Sequence, residues 1–236
     1  MTPERCDGLV LAAGAGTRYG MPKALAEDGV WLRTAVHALR AGGCARVFVV
    51  LGATGPALPD RDSDSAPRWL VSQTPRIEIP AGAHPVWASE WATGLSASLR
   101  AGLAAVASHE LAARITAERN IAPGISRARN SRDGITVELP GYVAIMPVDT
   151  PDVGPEVVRR VIDAARASES GLARAYFGNV PGHPVLLGRA HWAEVMANAS
   201  GNYGAGTYLR GRTDMVCVTC DDLATGIDRD YPCGTR

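Results

Sequence analysis

Apolar positions fall in blocks along the chain, and the spacing inside each block predicts its element. Leu9-Val10-Leu11-Ala12 is a short continuous apolar run bounded by turn formers, as expected of a buried strand. Trp31, Leu32, Ala35, Val36 and Leu39 then recur at helical spacing until Gly42-Gly43 stops them. Val47 to Leu51, VFVVL, is β-branched and continuous, the pattern of a strand covered on both faces. Strand, helix and strand in succession predict a parallel sheet.

The pattern returns at Pro85-Val86-Trp87-Ala88, and Leu95, Leu99, Leu103 and Val106 mark one face of a second helix. Tyr142 to Met146 predicts a strand, and Val157, Val158, Val161, Ile162 and Ala165 a helix beginning near Pro155. Further strands are expected at Leu172 to Tyr176, Val185 to Leu187 and Cys217 to Cys220. Two stretches break the pattern. Residues 55–85 are proline-rich and include the polar run Asp60 to Ser65, expected as surface loop around one short strand. Residues 108–140, with Arg127, Arg129 and Arg132, are expected as a second irregular, solvated stretch. The whole chain, 1–236, is expected to be one α/β domain with a mostly parallel sheet.

Composition narrows the partners. Hydrophobic residues make up 46% and charged residues 20%, and the formal net charge is zero, so nothing calls for nucleic acid or an anionic membrane. No segment is apolar enough to span a bilayer, and Met1 to Asp7 lacks a basic leader, so a cytoplasmic protein is expected. Five cysteines, Cys6, Cys44, Cys217, Cys220 and Cys233, make no disulfide framework. Cys217 and Cys220 have CxxC spacing without a second pair, and are expected to pack as small hydrophobes. Of 24 basic residues, Lys23 is the one lysine. A compact ammonium reaches a phosphate as a point charge, which a planar guanidinium does not imitate.

The chemistry concentrates after the first strand, in Gly8 to Lys23, GLVLAAGAGTRYGMPK. Gly14, Gly16 and Gly20 let backbone N–H groups approach an anion, and Arg18 and Lys23 add positive charge. A glycine-rich turn also fits dinucleotide binding. Against that, the second strand ends Leu51-Gly52-Ala53-Thr54, with no carboxylate for a ribose. Thr93, Gly94, Ser96 and Ser98 open the second helix, where they can cap it or hold a ligand. Asp149, just past the strand Tyr142 to Met146, faces the same crevice and is a candidate Mg²⁺ ligand, while Thr150 and Asp152 are better placed to precede the next helix. Asp228, in Gly226-Ile227-Asp228, offers a second carboxylate for a divalent-metal site. His183, between Gly182 and Pro184, is expected in a turn, either touching substrate or bonding its own backbone.

Together these segments resemble the MobA-like nucleotidyltransferases, in particular the molybdenum cofactor cytidylyltransferases. LAAGAGTRYGMPKAL at Leu11 to Leu25 is similar to their loop, and EWATGLSASLRAGL at Glu90 to Leu103 to their W-x-x-G-M-S-x-S-L segment. MPVDTP at Met146 to Pro151, PGHPVLLGRAHW at Pro181 to Trp192 and GID at Gly226 to Asp228 follow in the family's order. Members often end this last segment D-I-D-T-P, where here Asp228 is followed by Arg229-Asp230-Tyr231-Pro232.

The resemblance implies a Rossmann-like fold of the nucleotide-diphospho-sugar transferase type. It implies that Leu11, Ala12, Ala13, Gly14, Gly16, Gly94 and Ser96 bind a nucleoside triphosphate, with Arg18 and Lys23 on its phosphates. It also implies that Asp149 and Asp228 hold Mg²⁺ and that His183 lies on the substrate side. Ala13, in LAAG rather than LAGG, goes in that family with CTP rather than GTP. The acceptor would be a phosphate-bearing cofactor such as molybdopterin, with a molybdoenzyme or chaperone as a further contact. Two other readings stay open: an oxidoreductase on the same scaffold, like nicotine blue oxidoreductase, and a nucleotide- or cofactor-binding protein without turnover.

Overall fold

In the computed structural model, which describes residues 4–60, 68–119 and 140–231, a seven-stranded sheet runs in the order β5-β2-β1-β6-β8-β7-β9. In chain order β1 is Cys6–Leu11, α1 Val30–Ala41, β2 Val47–Leu51, β3 Ala57–Pro59, β4 Trp69–Val71, β5 Ala83–Trp87 and α2 Leu95–Arg119. Then come β6 Tyr142–Pro147, α3 Pro155–Ala167, β7 Leu172–Phe177, β8 Val180–Gly188, α4 Trp192–Asn198, α5 Gly206–Arg210 and β9 Val216–Thr219. β5, β2, β1 and β6 are parallel, as the strand-helix-strand pattern predicts.

Burial explains the continuous apolar runs. Every residue of β2 is buried, because helices cover both faces of the sheet. Leu32, Val36 and Leu39 of α1 and Val158, Val161 and Ile162 of α3 pack with Val10 and Val49 on one face. Leu99, Leu103 and Val106 of α2 and Trp192 and Val195 of α4 pack with Leu9 and Val50 on the other. Asp7, fully buried in β1, is compensated by Arg46, whose Nη2 lies 2.6 Å from its carboxylate.

Four expectations change. Residues 55–85 hold two short strands, β3 and β4, paired antiparallel, besides the start of β5. Their proline content hid them. α2 does not stop at Val106 but continues to Arg119, its second half being rich in the helix formers Ala, Glu, Leu and Arg but with little periodic signal. Arg127, Arg129 and Arg132 lie outside the described residues. Cys217 is exposed on β9, because its side chain faces away from the core on this edge strand, and Cys220 alone is buried. His183 lies within a strand rather than a turn: β8 starts at Val180, well before the apolar run Val185 to Leu187.

β8 also runs antiparallel to both neighbours, β6 and β7. That reversal matters for the site. The carboxyl ends of β1 and β6 are level, with Leu11 opposite Pro147, and Val185 of β8 sits opposite Ile145. The first residues of β8 therefore reach the same edge as the last residues of β1 and β6.

Candidate active site

β1 pairs with β2 on one side and β6 on the other, and the chain leaves the sheet in different directions at this switch point. A cavity of about 520 Å³ opens there. Its floor is the loop after β1. Gly16 adopts φ +61°, and a Cβ there would collide with the Met21 carbonyl. The Gly20 amide donates to the Gly16 carbonyl at 2.8 Å, folding the loop back so that Arg18 and Lys23 stand beside the cavity. At the other wall the Ala53 amide donates to the Ala13 carbonyl at 2.9 Å, and Gly52 has no room for a side chain between Ala13 and Trp91. No carboxylate follows β2 at this wall.

Among the expected site residues, Leu11, Ala12, Ala13, Gly14, Gly16 and Gly94 border the cavity. So do Arg18, Lys23, Asp149, His183 and Asp228. Ser96 does not: it is buried, and Arg100 donates to its hydroxyl at 3.4 Å. Ser98, on the same turn of α2, borders the cavity instead. Gly94, at φ +121°, lets Asn202 and the Gly201 carbonyl come against the start of α2, which places Asn202 on the rim.

Lys23 is the electrostatic centre. Its Nζ donates to Asp149 Oδ2 at 2.7 Å and to Asp230 Oδ1 at 2.8 Å, while Arg18 Nη1 lies 2.8 Å from Asp230 Oδ2. Burial works against the ammonium, but the hydrogen bonds to Asp149 and Asp230 outweigh it and hold Lys23 above the usual lysine range. The hydrogen bond from Lys23 holds the Asp230 carboxyl below the usual carboxylate range. Asp228 behaves in the opposite way. Although it reaches solvent at the rim, partial loss of its water, followed by the charges of Asp149 and Asp230, raises its carboxyl. His183 is pushed down to about 3 by burial and by the Arg174 guanidinium, so at neutral pH its imidazole is uncharged.

Asp230 is the residue that the sequence reading passed over. The signal was present: Asp228-Arg229-Asp230-Tyr231-Pro232 matches D-I-D-T-P in three of five places, two residues later than the frame that begins at Gly226. The geometry favours the later frame, since Asp230 meets both Arg18 and Lys23. The helix-capping role expected of Asp152 is also absent. Gly154 occupies the position before α3, with no side-chain cap, and Asp152 instead accepts from Thr225 and Gly226.

Residues 8–216 match the model of a family described as MobA-like NTP transferase domain. Among solved structures, the chain is similar to Rv0371c from Mycobacterium tuberculosis H37Rv, with 23% identity, 98% of this chain and 95% of that chain covered, and TM-score 0.61. It is similar to Rv0371C from the same organism in complex with manganese, at 21% identity, 95% and 93% coverage and TM-score 0.54. A nucleotidyl transferase from Methanothermobacter thermautotroptrophicus follows, at 16% identity, 96% and 92% coverage and TM-score 0.57. At these identities the likeness is one of fold. No curated protein matches the chain in sequence.

Proposed function

We propose, since this chain belongs to the MobA-like NTP transferase family, that it moves CMP from CTP onto a phosphate-bearing acceptor of the molybdopterin class and releases pyrophosphate. The observation that carries this reading is the placement of the single lysine, at 2.7 Å from Asp149 and 2.8 Å from Asp230, beside a glycine loop at the sheet's switch point. A nucleotidyltransferase needs fixed cations where the triphosphate lies and carboxylates where a hard cation shares its oxygens.

Mg²⁺ is the cation proposed, and the donor set suits it. Asp149 Oδ1 is buried without a hydrogen-bond partner, and the crowding of Asp149 and Asp230 around Asp228 leaves negative charge in excess. All donors are carboxylate oxygens, the kind a hard cation prefers. Asp149 and Asp228 would hold the ion, with Asp230 alongside. Among the described residues no group of three or more His, Cys, Asp or Glu side chains is placed to hold a metal alone, so its remaining ligands would be substrate and water oxygens. When bound, the ion would neutralise charge that develops on the triphosphate oxygens.

The protein's own part is positioning and charge. Backbone N–H groups of the loop from Gly14 to Tyr19 would approach the phosphates, and Arg18 and Lys23 would stabilise charge on the departing pyrophosphate. Lys23 exchanges its carboxylate partners for phosphate oxygen when the nucleotide enters. The terminal phosphate of the acceptor attacks the α-phosphorus; the bond to the bridging oxygen of pyrophosphate breaks. His183, uncharged, serves as a hydrogen-bond partner on the acceptor side and not as a cation. Ala13, beside the cavity wall, supports the choice of CTP.

The test is pyrophosphate release from CTP, GTP, ATP and UTP with Mg²⁺ and molybdopterin, for the wild type, Lys23→Ala and Asp149→Ala. Release from CTP that both substitutions lower by about a hundredfold or more is the expected result. Absence of triphosphate binding would overturn the reading. Binding of triphosphate without release would overturn the acceptor.

A further inference from the structure

We propose that Asp152 is a positioning residue, which clasps the C-terminal segment so that Asp228 and Asp230 are presented to Asp149; this rests on the transferase reading above. Asp152 Oδ2 accepts from the Thr225 amide at 2.7 Å, the Thr225 hydroxyl at 2.5 Å and the Gly226 amide at 3.1 Å. A second anchor lies just beyond: the Arg229 amide donates to the Asp149 carbonyl at 2.9 Å. Asp228 is bracketed by the two anchors, and Asp230 directly follows the second.

Both anchors belong to one turn after β6, Val148 to Asp152, which also carries the Asp149 carboxylate. One turn therefore carries Asp149 and anchors both ends of the stretch that holds Asp228, with Asp230 next to it. The clasped turn cannot easily shift. Gly226 has φ +62°, and a Cβ there would run into the Phe177 ring, so the segment lies flush against the end of β7. Asp152 itself does not border the cavity, which places it behind the reacting groups. A carboxylate accepting several N–H and O–H bonds at one oxygen is a strong local tether, and residues that orient metal-binding carboxylates influence metal affinity without touching the ion.

The full chain with Asp152→Ala, Asp152→Asn or Thr225→Val tests this by hydrogen exchange at the amides of residues 225–230, alongside kcat, KM for CTP and the Mg²⁺ concentration giving half-maximal rate. Asp152→Ala is expected to speed exchange at Gly226 and Arg229. It is expected to lower kcat or raise the Mg²⁺ requirement by about 10–100-fold, with a smaller change in KM for CTP. Asp152→Asn, which keeps an acceptor oxygen, should recover part of the loss, and Thr225→Val should fall between. Unchanged exchange at these amides would overturn the proposal. So would faster exchange, or a lower melting temperature, with kcat and Mg²⁺ dependence unaltered. A wild type that turns over no triphosphate would count against the transferase reading, while the exchange data would still decide the clasp.

Discussion

Lys23 Nζ lies 2.7 Å from Asp149 Oδ2, although the two residues are 126 positions apart. The contact exists because β1 and β6 are adjacent and end level, with the Val148 amide bonded to the Leu11 carbonyl at 3.2 Å. The glycine-rich loop that leaves β1 and the acidic turn that leaves β6 are thereby held face to face.

Lys23→Ala should lower kcat/KM for pyrophosphate release about a hundredfold, roughly 3 kcal/mol, as expected on removing one donor to a developing anion. Lys23→Arg should not restore it, since a planar fork cannot take the place of a point charge between Asp149 and Asp230. Steady-state rates of the three proteins decide this.

Asp228→Asn should separate stability from activity. The Asp228 carboxyl is raised in the folded protein, so the folded state binds its proton more tightly than the unfolded state does. Ionising it opposes folding, and that cost appears as pH rises above the usual value of 3.8. The variant should melt at a higher temperature than the wild type at pH 7, and the advantage should vanish in more acidic solution. The gain will be modest, because the residue is exposed and solvent screens its charge. Turnover with Mg²⁺ should nevertheless fall. Thermal melts across the pH range, paired with rate measurements, check both halves.

Gly16→Ala should weaken triphosphate binding without unfolding the domain. A left-handed backbone costs a residue with a Cβ about 1–2 kcal/mol, and here the Cβ also meets the Met21 carbonyl. Calorimetric titration with CTP should show the loss while the circular dichroism spectrum stays unchanged.

Ala13→Gly should shift base preference towards GTP. Ala13 is buried and borders the cavity, as Trp91 does, so removing its methyl opens space there. One methyl group in a pocket changes discrimination by about tenfold or more. The ratio of kcat/KM for GTP to that for CTP is the quantity to compare; an unchanged ratio would remove Ala13 from the specificity argument.

The glycine loop, Arg18, Lys23 and Asp149 were legible because each sits in a contiguous motif directly after an apolar strand, where local spacing carries the information. Asp230 and Asp152 were not. Asp230 follows Asp228 by two residues in a segment where the motif fits two frames, and its bonds to Arg18 and Lys23 decide between them. Asp152 looks like a helix cap beside Pro155, yet its partners, Thr225 and Gly226, lie 73 and 74 residues away. Ser96 and Ser98 are alike in type and differ in which side of α2 they occupy, so residue type could not choose between them.

By itself, then, the sequence determined the strand-helix-strand order, the parallel core of the sheet and the glycine-rich loop that borders the cavity after β1, because hydrophobic periodicity and glycine placement act over a few residues. Tertiary structure decided the rest. It reversed β8 so that His183 reaches the crevice, and it brought the C-terminal carboxylates across to Lys23. Those outcomes depend on hydrogen bonds and charge pairs between distant segments, whose partners no local spacing specifies.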